Sequence, residues 1–426
     1  MIETIKNAWK IPDLRRKLLF VVFALVIFRF GYAIYVPYVD TKALADVFKQ
    51  YSDTLLGYFN TLSGGGFSQA SIFALSVYPY INSSIIMQLL QVAIPALERM
   101  VKDGGEEGRK KLASITRYVT IALSLLMGWT YYIMLRTSGV LTRTDLWSAI
   151  VIILTFTAGS SFIMWLGEQI NSKGVGNGIS LILFASIVSR GPSAVMSIIN
   201  GLKSGSMNAI SVIVILVVAV AMIAFIVFIT NAERRIPIQY AKRMVGRKMY
   251  GGQSTHLPMK VNMSGVMPVI FASSIVTFPG TIIQFLNPEE GSFWSNFGKA
   301  FSQGSLAYII VYALLIVGFA YFYATIQFNP IEVSNNLKRN GGFIPGFRPG
   351  KPTTDFIAKV LNKITLMGAL FLGIVAILPL IMSNIKGLGG LAIGGTSVLI
   401  LVGVALETVK QVEAQMLMRH YKGFLE

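Results

Sequence analysis

Two histidines and no cysteine among 426 residues leave little with which to do covalent or metal chemistry. Thiolate nucleophiles, disulfides and thiolate metal sites are excluded, and two imidazoles cannot make a histidine-rich metal cluster. The sequence has no Ser/His/Asp constellation and no GxxxxGK[ST] loop to cradle nucleotide phosphates. The reading is of a chain that is not an enzyme, with no catalytic residue, no cofactor and no metal site. Energy for any vectorial work would come from a partner or an existing gradient.

The residues that could act lie where polarity is expensive. One apolar run reads Ser76-Val77-Tyr78-Pro79-Tyr80-Ile81-Asn82-Ser83-Ser84-Ile85-Ile86-Met87-Gln88, and another Asn262-Met263-Ser264-Gly265-Val266-Met267-Pro268-Val269-Ile270-Phe271-Ala272-Ser273-Ser274-Ile275. Amides and hydroxyls in hydrocarbon must face neighbouring helices or water. Small and hydroxyl residues also let helices pack closely, which is the plainer account of such positions. Two amide-bearing runs, each interrupted by proline, suggest the walls of an aqueous path. The segments also resemble each other: Pro79-Tyr-Ile-Asn-Ser-Ser-Ile compares with Pro268-Val-Ile-Phe-Ala-Ser-Ser-Ile, one residue longer.

Charge inside apolar runs is sparse. Arg29 is the clearest case, and Arg190 stands near the end of its run, where its long stem can snorkel to the interface. No run holds paired carboxylates of the kind a proton relay needs. That counts against a secondary transporter, the main competing class, which predicts ionisable groups at a midplane site. A non-transporting scaffold would leave the two polar runs unexplained.

Two polar segments are long and basic. Residues 231–263 carry Arg234, Arg235, Lys242, Arg243, Arg247 and Lys248, and 328–363 carry Lys338, Arg339, Arg348 and Lys351 around a Gly/Pro-rich tip. The glycines and prolines of 340–350 predict an ordered, protruding turn and not a helix. Such segments could simply orient the chain, or attract anionic lipid at about 1 kcal/mol per basic residue. They could also dock an anionic partner such as ribosomal RNA. Their length favours docking.

The elements that must position these residues follow from composition. The chain is 54% hydrophobic and 13% charged, against about 25% charged in soluble domains. Ten stretches approach the ~20 apolar residues that cross a bilayer: 18–36, 72–94, 115–135, 146–166, 179–199, 209–230, 264–286, 306–328, 364–384 and 391–409. They do not alternate as barrel strands do, so the expectation is an all-α integral membrane protein with ten transmembrane helices. The first stretch follows Arg15-Arg16-Lys17 but has no small-x-small cleavage site after it, and reads as a retained span. The polar runs are spans two and seven, the spacing expected of two inverted five-helix halves, 1–200 and 201–426. Roughly three quarters of the 37 Lys and Arg residues fall on one side if both termini are cytoplasmic. An external segment holds Gly64-Gly65-Gly66, which permits a tight connection.

Over essentially its whole length the sequence resembles the SecY family of bacterial protein-translocation channels. The resemblance rests on Pro79-Tyr80-Ile81 with Gln88-Leu89-Leu90, Gly176-Asn177-Gly178-Ile179-Ser180, Ser254-Thr255-His256-Leu257-Pro258 before Asn262-Met263, Phe347-Arg348-Pro349-Gly350, and Gly394-Gly395-Thr396-Ser397. It implies a clamshell of two halves around an hourglass pore in a bacterial plasma membrane, passing unfolded polypeptides and releasing apolar segments sideways into lipid. By resemblance the pore ring is Val77, Ile81, Ile179, Leu183, Ile270 and Ile400. A plug lies at about 55–70 with Leu62, Gly64, Gly65, Gly66 and Phe67, and the lateral gate includes Asn82, Ile86 and Phe278. Arg243, Arg247, Lys248 and Arg348 would meet the motor ATPase SecA or the ribosome, and SecE and SecG would complete the complex. Ser76 stands where the family often has glycine, and Val77 where isoleucine is commoner.

Overall fold

Each of the ten apolar stretches overlaps one or more helices in the computed structural model, which describes residues 2–50, 60, 63–205, 208–240, 243–245, 248–250, 254–286, 292–301, 305–383 and 395–422. Among the described residues six helices are long and apolar enough to cross a membrane, or seven if one bent pair is a single span. The remaining apolar stretches sit on helices that are more charged or only partly described. Pro12–Gly31 carries Arg15, Arg16, Lys17 and Arg29, and Gly395–Lys422 carries Glu407, Lys410 and Glu413.

Two compact units divide the chain: Met1–Asn208 with Thr277–Ser305 and Val404–Glu426, and Ala209–Val276 with Leu306–Gly403. In the first, the long helices Gly105–Thr137 and Leu146–Lys173 pack along each other. Helix Gly105–Thr137 opens with Glu106 and Glu107, which favour its positive N-terminal end. They pair with Lys110 and Lys111 one turn on, at 2.9 and 3.0 Å. Such exposed pairs contribute a few tenths of a kcal/mol each, roughly. Close approach between elements depends on Gly159 of the second helix, where a Cβ would stand 1.9 Å from the Ile72 carbonyl oxygen.

Proline sets several starts and breaks. Pro79 opens helix Tyr78–Ala93, where a missing N–H costs nothing. Pro95 opens the next, Pro95–Asp103, after a bend of 96°. The second span therefore begins at Tyr78, six residues later than the apolar stretch suggests, because residues 72–77 are turns that lead into it. Likewise the fifth stretch is two helices, Gly178–Ser189 and Gly191–Lys203, meeting at Arg190.

In the second unit, most of the described residues of 231–263 form strands. Strands β1 (Glu233–Tyr240) and β4 (Ser254–Lys260) form an antiparallel hairpin, with β2 (Arg243–Val245) and β3 (Lys248–Tyr250) paired nearer its tip. Strand β5 (Gly342–Phe343) joins the open edge of β1 through Gln239 opposite Phe343. The two basic segments thus share one three-stranded sheet. Ile236 and Ile238 point inward while their neighbours face out, and they pack with Met259, Leu337, Ile344, Ile357 and Leu361. Burying each such side chain from water contributes about 1.5–3 kcal/mol.

The membrane helices follow the opposite rule. Ile210 is 74% exposed, Phe228 71% and Trp147 68%. Large apolar side chains on continuous outward faces are stable only against hydrocarbon.

Candidate functional site

The glycine-rich segment at 63–71 is the best-defined part of the candidate site. Gly64 and Gly65 have φ of +67° and +91°, which side chains with a Cβ rarely adopt. Asn60 accepts from Ser63 Oγ and Gly65 N through its carbonyl, and from Ser68 N through its side chain at 2.9 Å. Ser63 Oγ accepts from Phe67 N at 3.1 Å. These bonds give 63–71 a defined shape, and Ser63, Phe67, Ala70 and Ser71 are buried.

That segment is seated on elements of its own unit. A Cβ on Gly64 would lie 3.1 Å from Ser186 O and Ser189 Oγ, at the end of helix Gly178–Ser189. Gly66 faces the Tyr32 ring and Ser71 Oγ. Phe67 stacks on Tyr131 at 4.2 Å and meets Phe48 edge-on at 5.6 Å. Tyr131 also donates its hydroxyl hydrogen to the Phe67 carbonyl. Leu62, with 55–59 of the expected plug, lies outside the described residues.

Helix Gly178–Ser189 also carries Ile179 and Leu183, one turn apart and both buried. Asn177 caps it, its side chain accepting from Ile179 N and Ser180 N at 3.1 and 3.2 Å. Asn171 accepts from Gly178 N at 2.7 Å and ties the cap to the preceding helix. Val77 immediately precedes helix Tyr78–Ala93, and Ile81 N donates to Val77 O at 3.0 Å, so these two also share a face. Both are buried, at 1% and 6% exposure. In the second unit Ile270 and Ile400 are buried too, on helices Met267–Leu286 and Gly395–Lys422.

Asn82 is half-buried and Ile86 exposed on helix Tyr78–Ala93. Phe278 belongs to helix Met267–Leu286. The buried face of helix Tyr78–Ala93 is fastened by Ser83 Oγ, which donates to Thr116 O at 2.7 Å. Just before it, Ser76 has φ +49° and no exposure, and its carbonyl accepts from Ser160 Oγ at 3.3 Å.

Arg243 and Lys248 fall on β2 and β3 of the hairpin. Arg247, between them in sequence, is outside the described residues. Arg348 is exposed at the crest of the 340–350 turn. Its carbonyl accepts from Thr353 Oγ1 at 2.8 Å, the Gly350 carbonyl accepts from Ser334 Oγ at 3.0 Å, and the Phe347 ring packs at a tilt on Phe356 with centroids 4.2 Å apart. The tip is ordered as its glycines and prolines predict, between helices Pro330–Arg339 and Lys351–Ser383.

The SecY family model matches residues 71–409. The chain belongs to the SecY family. The protein translocase subunit SecY of Streptomyces coelicolor is 43% identical over 443 residues, covering 100% of both chains. Among solved structures, this SecY-family chain is similar to one in which the SecY plug domain stabilises the closed state of the translocation channel and maintains a membrane seal. That match has a TM-score of 0.68 at 18% identity, over 97% of each chain. It is also similar to Sec61 in the canine ribosome–channel complex from the endoplasmic reticulum, with a TM-score of 0.62 at 18% identity over 97% of each chain. The family is one of translocation channels and not of enzymes, and this member is a membrane-embedded protein translocase subunit with the SecY channel fold.

Sequence reasoning missed three features of the site. Tyr131, Tyr32 and Phe48 hold the glycine-rich segment but lie far from it in sequence, and no local pattern marks them. The hairpin was legible in principle, since Arg235-Ile236-Pro237-Ile238-Gln239 alternates polar and apolar residues. The left-handed backbone of Ser76 is not announced by serine itself, and its one signal is the glycine that the family often has there.

Proposed function

We propose that this chain forms the central conduit of a Sec translocon in a bacterial plasma membrane, with both termini cytoplasmic. Unfolded secretory polypeptides pass a ring of Val77, Ile81, Ile179, Leu183, Ile270 and Ile400, whose bulky aliphatic side chains dewet the constriction against ions. Residues 55–70 seal it from outside. The observation that carries this reading is the seating of 63–71 against the end of the helix that bears Ile179 and Leu183.

Asn82, Ile86 and Phe278 border a lateral gate between spans two and seven. A signal sequence of ~20 apolar residues, each favoured in the bilayer by about 0.3–0.6 kcal/mol, leaves through it into lipid. The hairpin residues Arg243, Arg247 and Lys248 and the turn residue Arg348 dock SecA or the ribosome, and SecE and SecG complete the complex. Support comes from the apolar core shared by β1, β4 and the 340–350 turn, which joins the bases of both basic segments.

The chain has no native thiol, so a single probe can test the path. With Ile81→Cys and one cysteine in a secretory chain stalled midway, oxidation should give a disulfide only when the stalled chain is present. No adduct, while the same stalled chain cross-links to an established channel, would remove the conduit reading.

A further inference from the structure

The seal segment is closed upon itself by Asn60, Ser63 and Ser68, and of the aromatic side chains around its middle Tyr131 both stacks on Phe67 and hydrogen-bonds it. Tyr131 stands 64 residues away on helix Gly105–Thr137 and is 1% exposed. Its ring stacks on Phe67 with planes 25° apart, and its far side meets Phe156 at 4.9 Å. Its hydroxyl donates to the backbone carbonyl of the same Phe67. One residue of the segment is thus held twice, by ring and by carbonyl. A buried carbonyl and a buried phenol both lose if they part without a replacement partner.

We propose that Tyr131 is the latch of the seal, a positioning residue whose hydroxyl sets how readily the channel opens. The proposal rests on the reading of 55–70 as a seal, and deepens it. The hydrogen bond belongs to the seated segment. Helix Gly105–Thr137 is anchored independently, through Arg117 to Glu168 at 2.8 Å and Thr116 O to Ser83. Removing the hydroxyl therefore weakens the seated state and leaves the helix in place. Aromatic stacking remains in Tyr131→Phe, so the variant isolates the bond from the packing.

The test uses the assembled channel in proteoliposomes with one reporter thiol, Ser71→Cys. Ser71 is fully buried, and Gly66 covers it: a Cβ there would lie 2.7 Å from Ser71 Oγ. Ser71 lies just past the seal of 55–70 and is held by its bridge to Tyr35, so departure of the segment uncovers this position. Tyr131→Phe should raise the maleimide-labelling rate about tenfold, equivalent to about 1.4 kcal/mol in the opening equilibrium. Thermal stability should stay unchanged, and ion leak should rise in parallel. Tyr132→Phe, one residue along the same helix and also buried, is the control and should leave all three readings alone. Faster labelling without leak would keep the latch and refute the seal. Unchanged labelling in Tyr131→Phe would overturn the latch, whatever the leak.

Discussion

Ser76 sits at φ +49° with its side chain wholly buried, directly before the proline-opened helix that carries Ile81. A residue with a Cβ in this region costs roughly 1–2 kcal/mol. Ser76→Gly relieves that cost while adding freedom to the unfolded chain, about 0.4–1 kcal/mol in the other direction. The expected result is a midpoint of thermal unfolding equal to or slightly above that of the parent. A lower midpoint would show that the hydroxyl contributes more than the backbone loses. At Ile81, 6% exposed, an amide would hydrate the proposed constriction. Ile81→Asn and Ile400→Asn should therefore raise ion leak and admit secretory chains with defective signal sequences. Unchanged leak and unchanged discrimination in both would remove these two residues from the ring.

Among elements, the hairpin and the 340–350 turn act together. Ile236 is 3% exposed between β1 and the helices beneath it. Ile236→Ala should cost about 2–3 kcal/mol of local stability, read as faster tryptic cleavage at the basic residues of the hairpin. The same change in Ile210, which is 74% exposed, should have no such effect. Arg348 is exposed, while Thr353 bonds its carbonyl and Phe356 packs on its neighbour Phe347. Arg348→Glu should abolish SecA-driven translocation while leaving the protease-resistant core intact. Normal SecA-driven transport by that variant would exclude the turn from docking.

For the whole molecule, the positive-inside bias predicts an orientation with both termini cytoplasmic. The absence of native cysteine makes this directly measurable. Gly346→Cys in the basic turn should react with an impermeant maleimide only from the cytoplasmic face. Thr144→Cys, exposed between helices Gly105–Thr137 and Leu146–Lys173, should react only from the other. Labelling of both from one side would overturn the alternating arrangement.

Much of this was legible in the residues. Ten apolar stretches announced membrane helices, because a bilayer leaves the backbone no partner but itself. Pro79 and the glycines of 340–350 marked a helix start and a turn by chemistry local to those positions. The resemblance to the SecY family rested on short motifs that survive as sequence. What the sequence could not reveal depends on contacts between distant positions. The seating of Phe67 under Tyr131, the sheet joining β5 to β1, and the left-handed turn at Ser76 each require a partner brought from elsewhere in the chain. The bend of 96° at Pro95 is of the same kind: proline permits a break, but the packing of the neighbouring helices decides its angle. Local chemistry set the elements, and tertiary packing alone decided which of their side chains would hold the glycine-rich segment.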